Sequence, residues 1–159
     1  MLPMVFRCRL DNADEEVDEL IAYLRKHPEK AETYNWNKLD SYRWLALLCK
    51  RPKYARYCDW SKIDGEDWAV LLCAKPQFAK HCDWVKLKGD DWAQLLARYP
   101  EYAEHCDWSK LNGQNFHGLL ISRPQFAVHC DWSKLDADQK QRLLKNHPEL
   151  KGCGDKENR

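Results

Sequence analysis

Residues 58–81 read CDWSKIDGEDWAVLLCAKPQFAKH, and two near-copies follow directly: CDWVKLKGDDWAQLLARYPEYAEH over 82–105 and CDWSKLNGQNFHGLLISRPQFAVH over 106–129. Looser copies occupy 34–57 and 130–153, and 10–33 keeps only the helical spacing and the proline. Six of the seven prolines stand 24 residues apart, and all eight tryptophans fall on two series with the same spacing. A fixed period of this length is the signature of a repeat array, in which each unit packs on its neighbours.

Each unit predicts two short helices. Asp64 is placed to cap the first helix, with Asp67 three residues later as its reciprocal partner. Trp68 and Leu71 then follow at a helical spacing and form one apolar face. Pro76 starts the second helix, because proline is favoured at the first helical position. Two helices and a tight link leave no room for strands, so the sequence predicts an all-α fold, an α-solenoid of about six 24-residue helix-turn-helix repeats.

The repeats also predict the domain organisation. We expect a lead segment over 1–9, one helical repeat domain over 10–153, and a polar tail over 154–159. The six units of that domain span 10–33, 34–57, 58–81, 82–105, 106–129 and 130–153. The terminal units are polar: Asp11 to Glu19 is densely acidic, and Lys140 replaces the tryptophan of the central units. Polar terminal units cap a finite array, which predicts a monomer.

The run PQFAKHCDWVKL (76–87), with DWAVLL (67–72) between copies, resembles tandem helical repeats of uncharacterised, mostly gut-associated bacterial proteins. Those repeats carry the pattern P-x-F-A-x-x-C-D-W-x-K-L together with D-W-x-x-L-L. The resemblance covers roughly Tyr34 to Leu150, and the chain departs from it at Phe116, His117 and Gly118. It implies a helical repeat fold and no particular activity. More distantly, the chain is similar to armadillo, HEAT and tetratricopeptide arrays, whose usual role is protein binding.

Histidine–cysteine pairs recur once per repeat, at His81-Cys82, His105-Cys106 and His129-Cys130. Structural zinc sites need locally paired ligands, whereas equivalent residues of packed helices lie about 10 Å apart. We therefore expect a small buried cysteine beside a half-exposed histidine, with no metal and no cofactor. Residues 1–10 lack the pattern of a signal peptide, and no apolar run is long enough to span a membrane. Free thiols in the cytoplasm are the resulting prediction.

Lysines also recur every 24 residues, at Lys38, Lys62, Lys86, Lys110 and Lys134. Such a row could track a phosphate backbone, which makes nucleic-acid binding an alternative function. An acidic residue or asparagine stands three positions before each lysine, and pairing within the turn would cancel most of its field. The whole chain has 26 Lys plus Arg against 25 Asp plus Glu, which excludes a uniformly basic nucleic-acid coat.

The balanced total conceals two opposed units. Residues 10–33 hold three bases and eight acids, whereas 34–57 hold six bases and one acid. Five of those bases form a basic patch: Arg43, Lys50, Arg51, Lys53 and Arg56. The opposed charges could attract one another and fix the N-terminal cap, or the patch could dock an acidic partner. Both interpretations stay open at this point.

No catalytic motif is present in the sequence, neither a nucleophile elbow, a phosphate-binding loop nor a zinc-protease helix, so we expect no enzyme. The predicted function is a protein-binding scaffold or adaptor, with nucleic-acid binding and a purely structural spacer as alternatives. Positions that vary between units are the candidate contacts. On the first helix they are Ala46, Val70, Gln94, Gly118 and Arg142. The candidate partner-binding residues are the basic patch together with Gln77, Lys80, Gln94, Glu101, Glu104 and Gln125.

Overall fold

The computed structural model describes residues 4–153, with side chains from residue 15 onward, and every regular element in that span is helical. The chain divides into two compact units, Met1–Asp83 and Trp84–Arg159. The first unit contains the α-helices α1 (Met4–Lys26), α2 (Ser41–Lys50) and α3 (Gly65–Ala74). The second contains α4 (Gly89–Arg98), α5 (Gly113–Ser122) and α6 (Ala137–Asn146). Within each unit consecutive α-helices pack side by side, as in a solenoid.

The structure describes part of the predicted N-terminal lead segment and none of the predicted C-terminal tail. Helix α1 begins at Met4, inside the predicted lead segment 1–9. The predicted polar tail, 154–159, lies outside the described residues, and so do the side chains of the first part of the acidic run, 11–14. None of the described helices combines the length and the apolar character that crossing a membrane requires.

The second helix of each repeat begins at the proline, as predicted, but it is a short 3₁₀ helix. These helices are Pro28–Glu32, Pro52–Tyr57, Pro76–His81, Pro100–His105, Pro124–His129 and Pro148–Leu150. The link to the next repeat forms another 3₁₀ turn, at Trp36–Lys38, Trp60–Lys62, Trp84–Lys86, Trp108–Lys110 and Trp132–Lys134. The predicted helix-turn-helix unit is thus one α-helix followed by two 3₁₀ helices.

The length of the proline segment explains why it closes as 3₁₀. Lys75, before the proline, has φ −141° and ψ 72°, and Cys82, after the segment, is extended at φ −67° and ψ 129°. Only six residues lie between these two non-helical positions. The Phe78 amide donates to the Lys75 carbonyl at 3.1 Å, and the Cys82 amide donates to Ala79 at 3.0 Å. Short segments of this kind favour the tighter three-residue bonds.

Asp64 caps α3 as predicted, because its side chain accepts a hydrogen bond from the Asp67 amide at 2.9 Å. The reciprocal bond runs to the preceding repeat instead. The Asp64 amide donates to the Ser41 hydroxyl at 3.0 Å, and that hydroxyl donates to the Asp67 carboxylate. In α5 and α6 the reciprocal bond is local, through Asn115 and Gln139. The cap of α3 therefore also ties α2 to α3.

Close approach of successive repeats determines the first residue of α4 and α5. A Cβ atom on Gly89 would lie 2.4 Å from the Lys110 carbonyl oxygen, and one on Gly113 would lie 2.0 Å from the Lys134 carbonyl oxygen. Real Cβ atoms do not approach backbone oxygens so closely, so only glycine fits at these positions. Ala137 holds the equivalent position in α6, the last α-helix of the described residues.

The core is formed by the predicted aromatic and leucine positions. Trp44, Trp68 and Trp92 are fully buried, and Phe116 replaces tryptophan at the same position of α5. Two of the candidate contacts on the first helix, Ala46 and Val70, are buried in the first unit, so as partner contacts they are wrong. Ala46 is buried because α2 packs against both α1 and α3. In the second unit Gln94 is half-buried, and Gly118 and Arg142 are exposed.

Candidate functional site

A stack of aromatic rings forms in four of the described repeats. Each stack is centred on the first residue of the 3₁₀ turn that links one repeat to the next, which is Trp36, Trp60, Trp84 or Trp108. In the third repeat Trp60 lies between the buried Trp68, at a centroid distance of 5.5 Å, and His81, at 4.3 Å with an interplanar angle of 7°. Trp36, Trp84 and Trp108 occupy equivalent stacks, with Tyr57, His105 and His129 as the outer rings. Stacked aromatic pairs stabilise beyond the area they bury. The stack thus fixes each Pro-led 3₁₀ helix against its own α-helix.

This stack is the feature that sequence reasoning missed. His81 is exposed, as expected of the histidine beside the repeat cysteine, but one face of its ring is covered by Trp60. The sequence did contain a signal, because Tyr57 occupies the position of His81 one repeat earlier. In the structure the Tyr57 ring stacks on Trp36, with 4.9 Å between the ring centroids. The shared property of this position is a flat ring rather than a metal ligand.

A surface groove of about 450 Å³ opens beside the Trp60 stack in the first unit, and we name it the basic groove. Its lining residues come from the 3₁₀ helices Pro52–Tyr57 and Pro76–His81 and from the turn between them: Ala55, Arg56, Cys58, Trp60, Gln77, Phe78, Lys80 and His81. Three of the predicted partner-binding residues, Arg56, Gln77 and Lys80, therefore lie together. The groove also includes Trp60 and Phe78, which the sequence predicted only as core.

The two permanent cations of the groove form no ion pair within the described part of the chain. Arg56 and Lys80 are both exposed, and neither forms an ion pair with a carboxylate among residues 15–153. The Arg56 guanidinium lies over the Tyr57 ring, 5.4 Å from its centroid, which orients it without cancelling its charge. Arg56 lies in the 3₁₀ helix Pro52–Tyr57 and Lys80 in Pro76–His81, so each of these helices contributes one positive charge to the same concave surface.

The other titratable groups of the groove are held neutral at pH 7. Burial lowers the pKa of His81, and the neighbouring Lys80 charge lowers that pKa further. Burial raises the pKa of the Cys58 thiol to about 12, with the adjacent Asp59 carboxylate as the second cause. A thiol with so high a pKa is a poor nucleophile and a poor metal ligand. Among the described residues, no group of three or more His, Cys, Asp or Glu side chains could hold a metal ion.

Two members of the predicted basic patch are engaged in ion pairs with α1. The Arg43 guanidinium contacts Glu16 at 2.6 Å and Asp40 at 2.5 Å, and Lys50 contacts Asp18 at 2.9 Å. The hydrogen bond from Arg43 lowers the pKa of the Glu16 carboxyl. Ion pairs between the acidic first repeat and the basic second one therefore join α1 to α2 at the surface, beside the buried apolar residues of α1. This geometry matches the capping interpretation for Arg43 and Lys50.

The remaining predicted residues lie outside the basic groove. Arg51 donates to the Lys50 carbonyl at 3.0 Å, and the Lys53 ammonium lies 5.1 Å from the centroid of the Tyr54 ring. Both are exposed. Of the predicted partner-binding residues in the second unit, Gln94 is half-buried on α4, whereas three are exposed: Glu101, Glu104 and Gln125. Glu104 contacts the imidazole of His105 at 3.5 Å.

Lysines of the row form hydrogen bonds between successive repeats. The Lys62 amine donates to the carbonyl of Asn37 at 2.8 Å, one repeat earlier in the chain. Lys110 donates in the same way to Val85 at 2.7 Å and to Leu87 at 2.9 Å. Lys134 donates to Leu111 at 2.9 Å. Each amine thus joins its repeat to the link segment of the repeat before it.

Among the aspartates that were predicted to pair with these lysines, side-chain caps of the turn are formed by Asp59, Asp107 and Asp131. The Asp107 carboxylate accepts from the Ser109 amide at 3.1 Å and from the Ser109 hydroxyl at 2.6 Å. That side-chain hydrogen bond is the main cause that lowers the pKa of Asp107, and the Lys110 charge is the smallest contribution. The predicted Asp–Lys pairing within the turn is therefore secondary to the Asp–Ser cap.

No family model, no curated protein and no solved structure matches this chain. The internal repeat offers a comparison within the molecule. The eight lining residues of the basic groove have counterparts two repeats later, at Ala103, Glu104, Cys106, Trp108, Gln125, Phe126, Val128 and His129. Six of the eight are identical, and only Glu104 and Val128 differ, in place of Arg56 and Lys80.

Proposed function

We propose that the chain is a non-catalytic protein-binding repeat module whose partner docks at the basic groove. The observation that carries this proposal is the pair of exposed cations, Arg56 and Lys80, on a concave surface that is also lined by Trp60 and Phe78. Interfaces combine buried aromatic anchors with a polar rim, and arginine and tryptophan are enriched among their most important residues. The groove contains both classes of residue within one repeat pair.

The chemistry of the groove supports binding rather than catalysis. Cys58 is its one thiol, and burial raises the pKa of that thiol to about 12, so little thiolate forms at neutral pH. His81 has no acidic residue beside it in the groove lining, and its ring face is used for stacking on Trp60. A general base or nucleophile needs an orienting partner, and the lining supplies none.

The nucleic-acid alternative depends on the lysine row. The amines of Lys62, Lys110 and Lys134 already donate to backbone carbonyls, so a phosphate would have to displace those bonds. The protein-binding proposal needs no such displacement. We also propose that the chain is a monomer and acts in the cytoplasm. Its repeats would then belong to the bacterial repeat type with the P-x-F-A-x-x-C-D-W-x-K-L pattern.

The experiment that tests this proposal is a pull-down with nuclease-treated lysate, comparing three forms of the chain. The first is the wild type, and the second carries Arg56→Glu and Lys80→Glu. The third carries Arg51→Glu and Lys53→Glu, the same change in charge outside the groove. We expect a protein that is captured by the first and third forms and lost from the second, while all three melt alike. Equal capture by all three forms would contradict a role for the groove.

A further inference from the structure

We propose that the occupant of the basic groove is an acidic segment of the partner protein, with an apolar side chain between its carboxylates. This inference rests on the proposed function, because it assumes that the groove docks a protein, and it adds the chemistry of the docked segment. Three observations carry it: the charge of the rim, the apolar floor, and the small number of cations.

The rim of the groove selects negative charge. The eight lining residues include Arg56 and Lys80 but no aspartate or glutamate. The planar guanidinium of Arg56 can take a carboxylate through two parallel hydrogen bonds, and the Lys80 ammonium can take a second one as a point charge. A segment with two separated carboxylates is therefore the complement of the rim. A basic or neutral segment would leave both cations without a partner.

The floor of the groove selects an apolar side chain between those carboxylates. Phe78 is 6% exposed, and the indole of Trp60 is half-buried under His81. Cys58 adds a thiol that stays protonated, because burial raises its pKa to about 12. An aliphatic side chain placed on this floor would leave water and bury apolar surface against the two rings. Gln77 can meanwhile donate to and accept from the backbone of the segment.

The number of cations favours a peptide over a nucleic acid. Affinity for a nucleic-acid backbone comes mainly from the number of phosphates that lysine and arginine side chains neutralise, and a protein with strongly salt-dependent binding makes about 6–10 such contacts. The groove supplies Arg56 and Lys80, and the lysines that continue along the chain, Lys110 and Lys134, are bound to carbonyls. Two cations on a bounded concave surface match two carboxylates better than a continuous polyanion.

The test is a titration of the full chain with a labelled heptapeptide, Gly-Glu-Glu-Leu-Glu-Glu-Gly, blocked at both ends. One matched peptide has glutamine for every glutamate, and another has serine for leucine. The chain variants are Arg56→Glu with Lys80→Glu, the milder Arg56→Gln with Lys80→Gln, and the control Arg51→Glu with Lys53→Glu. Thermal melting of each variant shows whether it folds, and a single-stranded oligothymidylate serves as the competitor.

We expect one acidic peptide per chain, with affinity that falls by about tenfold or more in the Arg56→Glu, Lys80→Glu variant and not in the control. The glutamine peptide should not bind, and the serine peptide should bind more weakly. No binding of the acidic peptide, equal binding of the glutamine peptide, or stronger groove binding by the oligothymidylate would each overturn the inference. A groove-dependent protein captured from lysate, without acidic-peptide binding, would overturn the inference but leave the proposed function standing.

Discussion

The basic groove of the first unit and its counterpart two repeats later share a framework and differ in their outer charges. Trp60 stacks on His81 at 4.3 Å and meets Phe78 at 5.4 Å with an angle of 49°. The corresponding distances around Trp108 are 4.2 Å to His129 and 5.3 Å to Phe126, again with an angle of 49°. The only lining residues that differ are the two outer ones, cationic in the first unit and Glu104 and Val128 in the second.

This comparison separates the residues that build a repeat from those that give it a partner. Rings, prolines, inter-repeat lysines and the glycine at the start of the α-helix recur because each makes a contact that the packing requires. Arg56 and Lys80 are exposed and join no two repeats through a hydrogen bond or ion pair among the described residues, so we expect that these positions can change at little cost in packing.

The largest expected effect is at the glycine that begins α5. In Gly113→Ala, the new Cβ would lie 2.0 Å from the Lys134 carbonyl oxygen, so the repeats of the second unit must move apart. We expect a loss of about 3 kcal/mol or more in the free energy of unfolding, measured by denaturant titration.

Gly118→Ala is the matched control within the same helix. A Cβ at Gly118 meets no atom within 4 Å. Alanine should therefore stabilise α5 by about 0.5–1 kcal/mol through its higher helix propensity. If the two substitutions changed stability equally, close packing between repeats would not be the reason for glycine at position 113.

A smaller effect is expected at the lysine that joins two repeats of the second unit. Lys110→Met keeps the aliphatic stem but removes the amine that donates to the carbonyls of Val85 and Leu87. We expect a loss of about 1–2 kcal/mol, read from the shift in the denaturant midpoint. Lys145→Met, at an exposed position of α6, should stay within about 0.5 kcal/mol of the wild type. If Lys110→Met and Lys145→Met both had negligible effects on stability, the hydrogen bonds of the lysine row would not stabilise the fold, and the row could serve another role.

The smallest effect is a pH dependence at the outer ring of the Trp60 stack. The pKa of His81 is lowered by burial and by Lys80, so the unfolded chain takes up this proton at a higher pH than the folded chain does. The His81 contribution to stability is therefore complete above the ordinary pKa of 6.5 and declines as the pH falls below it. His81→Tyr copies Tyr57, the equivalent ring one repeat earlier.

We expect the His81→Tyr chain to lose less stability than the wild type when melting is compared between about pH 7.5 and pH 5.5. A His105→Tyr chain serves as the comparison for the general effect of replacing an outer histidine. An identical pH profile for the wild type and His81→Tyr would contradict this, because it would show that folding does not lower the pKa of His81.

Much of the repeat was predictable from its period alone. The prolines mark where each α-helix stops, Asp64 caps α3, and Trp68 and Trp92 are buried, all in agreement with their spacing. The prolines and the Asp64 cap follow local backbone rules, and the tryptophans lie on the apolar face that the helical spacing defines. Local chemistry is what a single sequence expresses most directly.

The incorrect or missing predictions concern distances between segments that the period does not specify. The reach of Lys110 to the Leu87 carbonyl depends on how closely two repeats approach, and so does the burial of Ala46 in α2. The candidate site was predictable in part. Arg56, Gln77 and Lys80 stand at varying positions, but their convergence on Trp60 requires the 3₁₀ geometry of both proline segments. Within the basic patch, variation between units did not distinguish Arg43, which forms an ion pair with Glu16, from Arg56, which lines the groove.

The central claim is that two outer residues, on a shared framework, determine where the acidic segment binds. The direct measurement is the calorimetric stoichiometry of the heptapeptide with a chain that carries Glu104→Arg and Val128→Lys, which gives the second unit the charges of the first. We predict that the variant melts like the wild type and binds two peptides per chain instead of one. A stoichiometry that stays at one would contradict the claim, because the identical rings and matching distances around Trp108 would then not suffice to build a site.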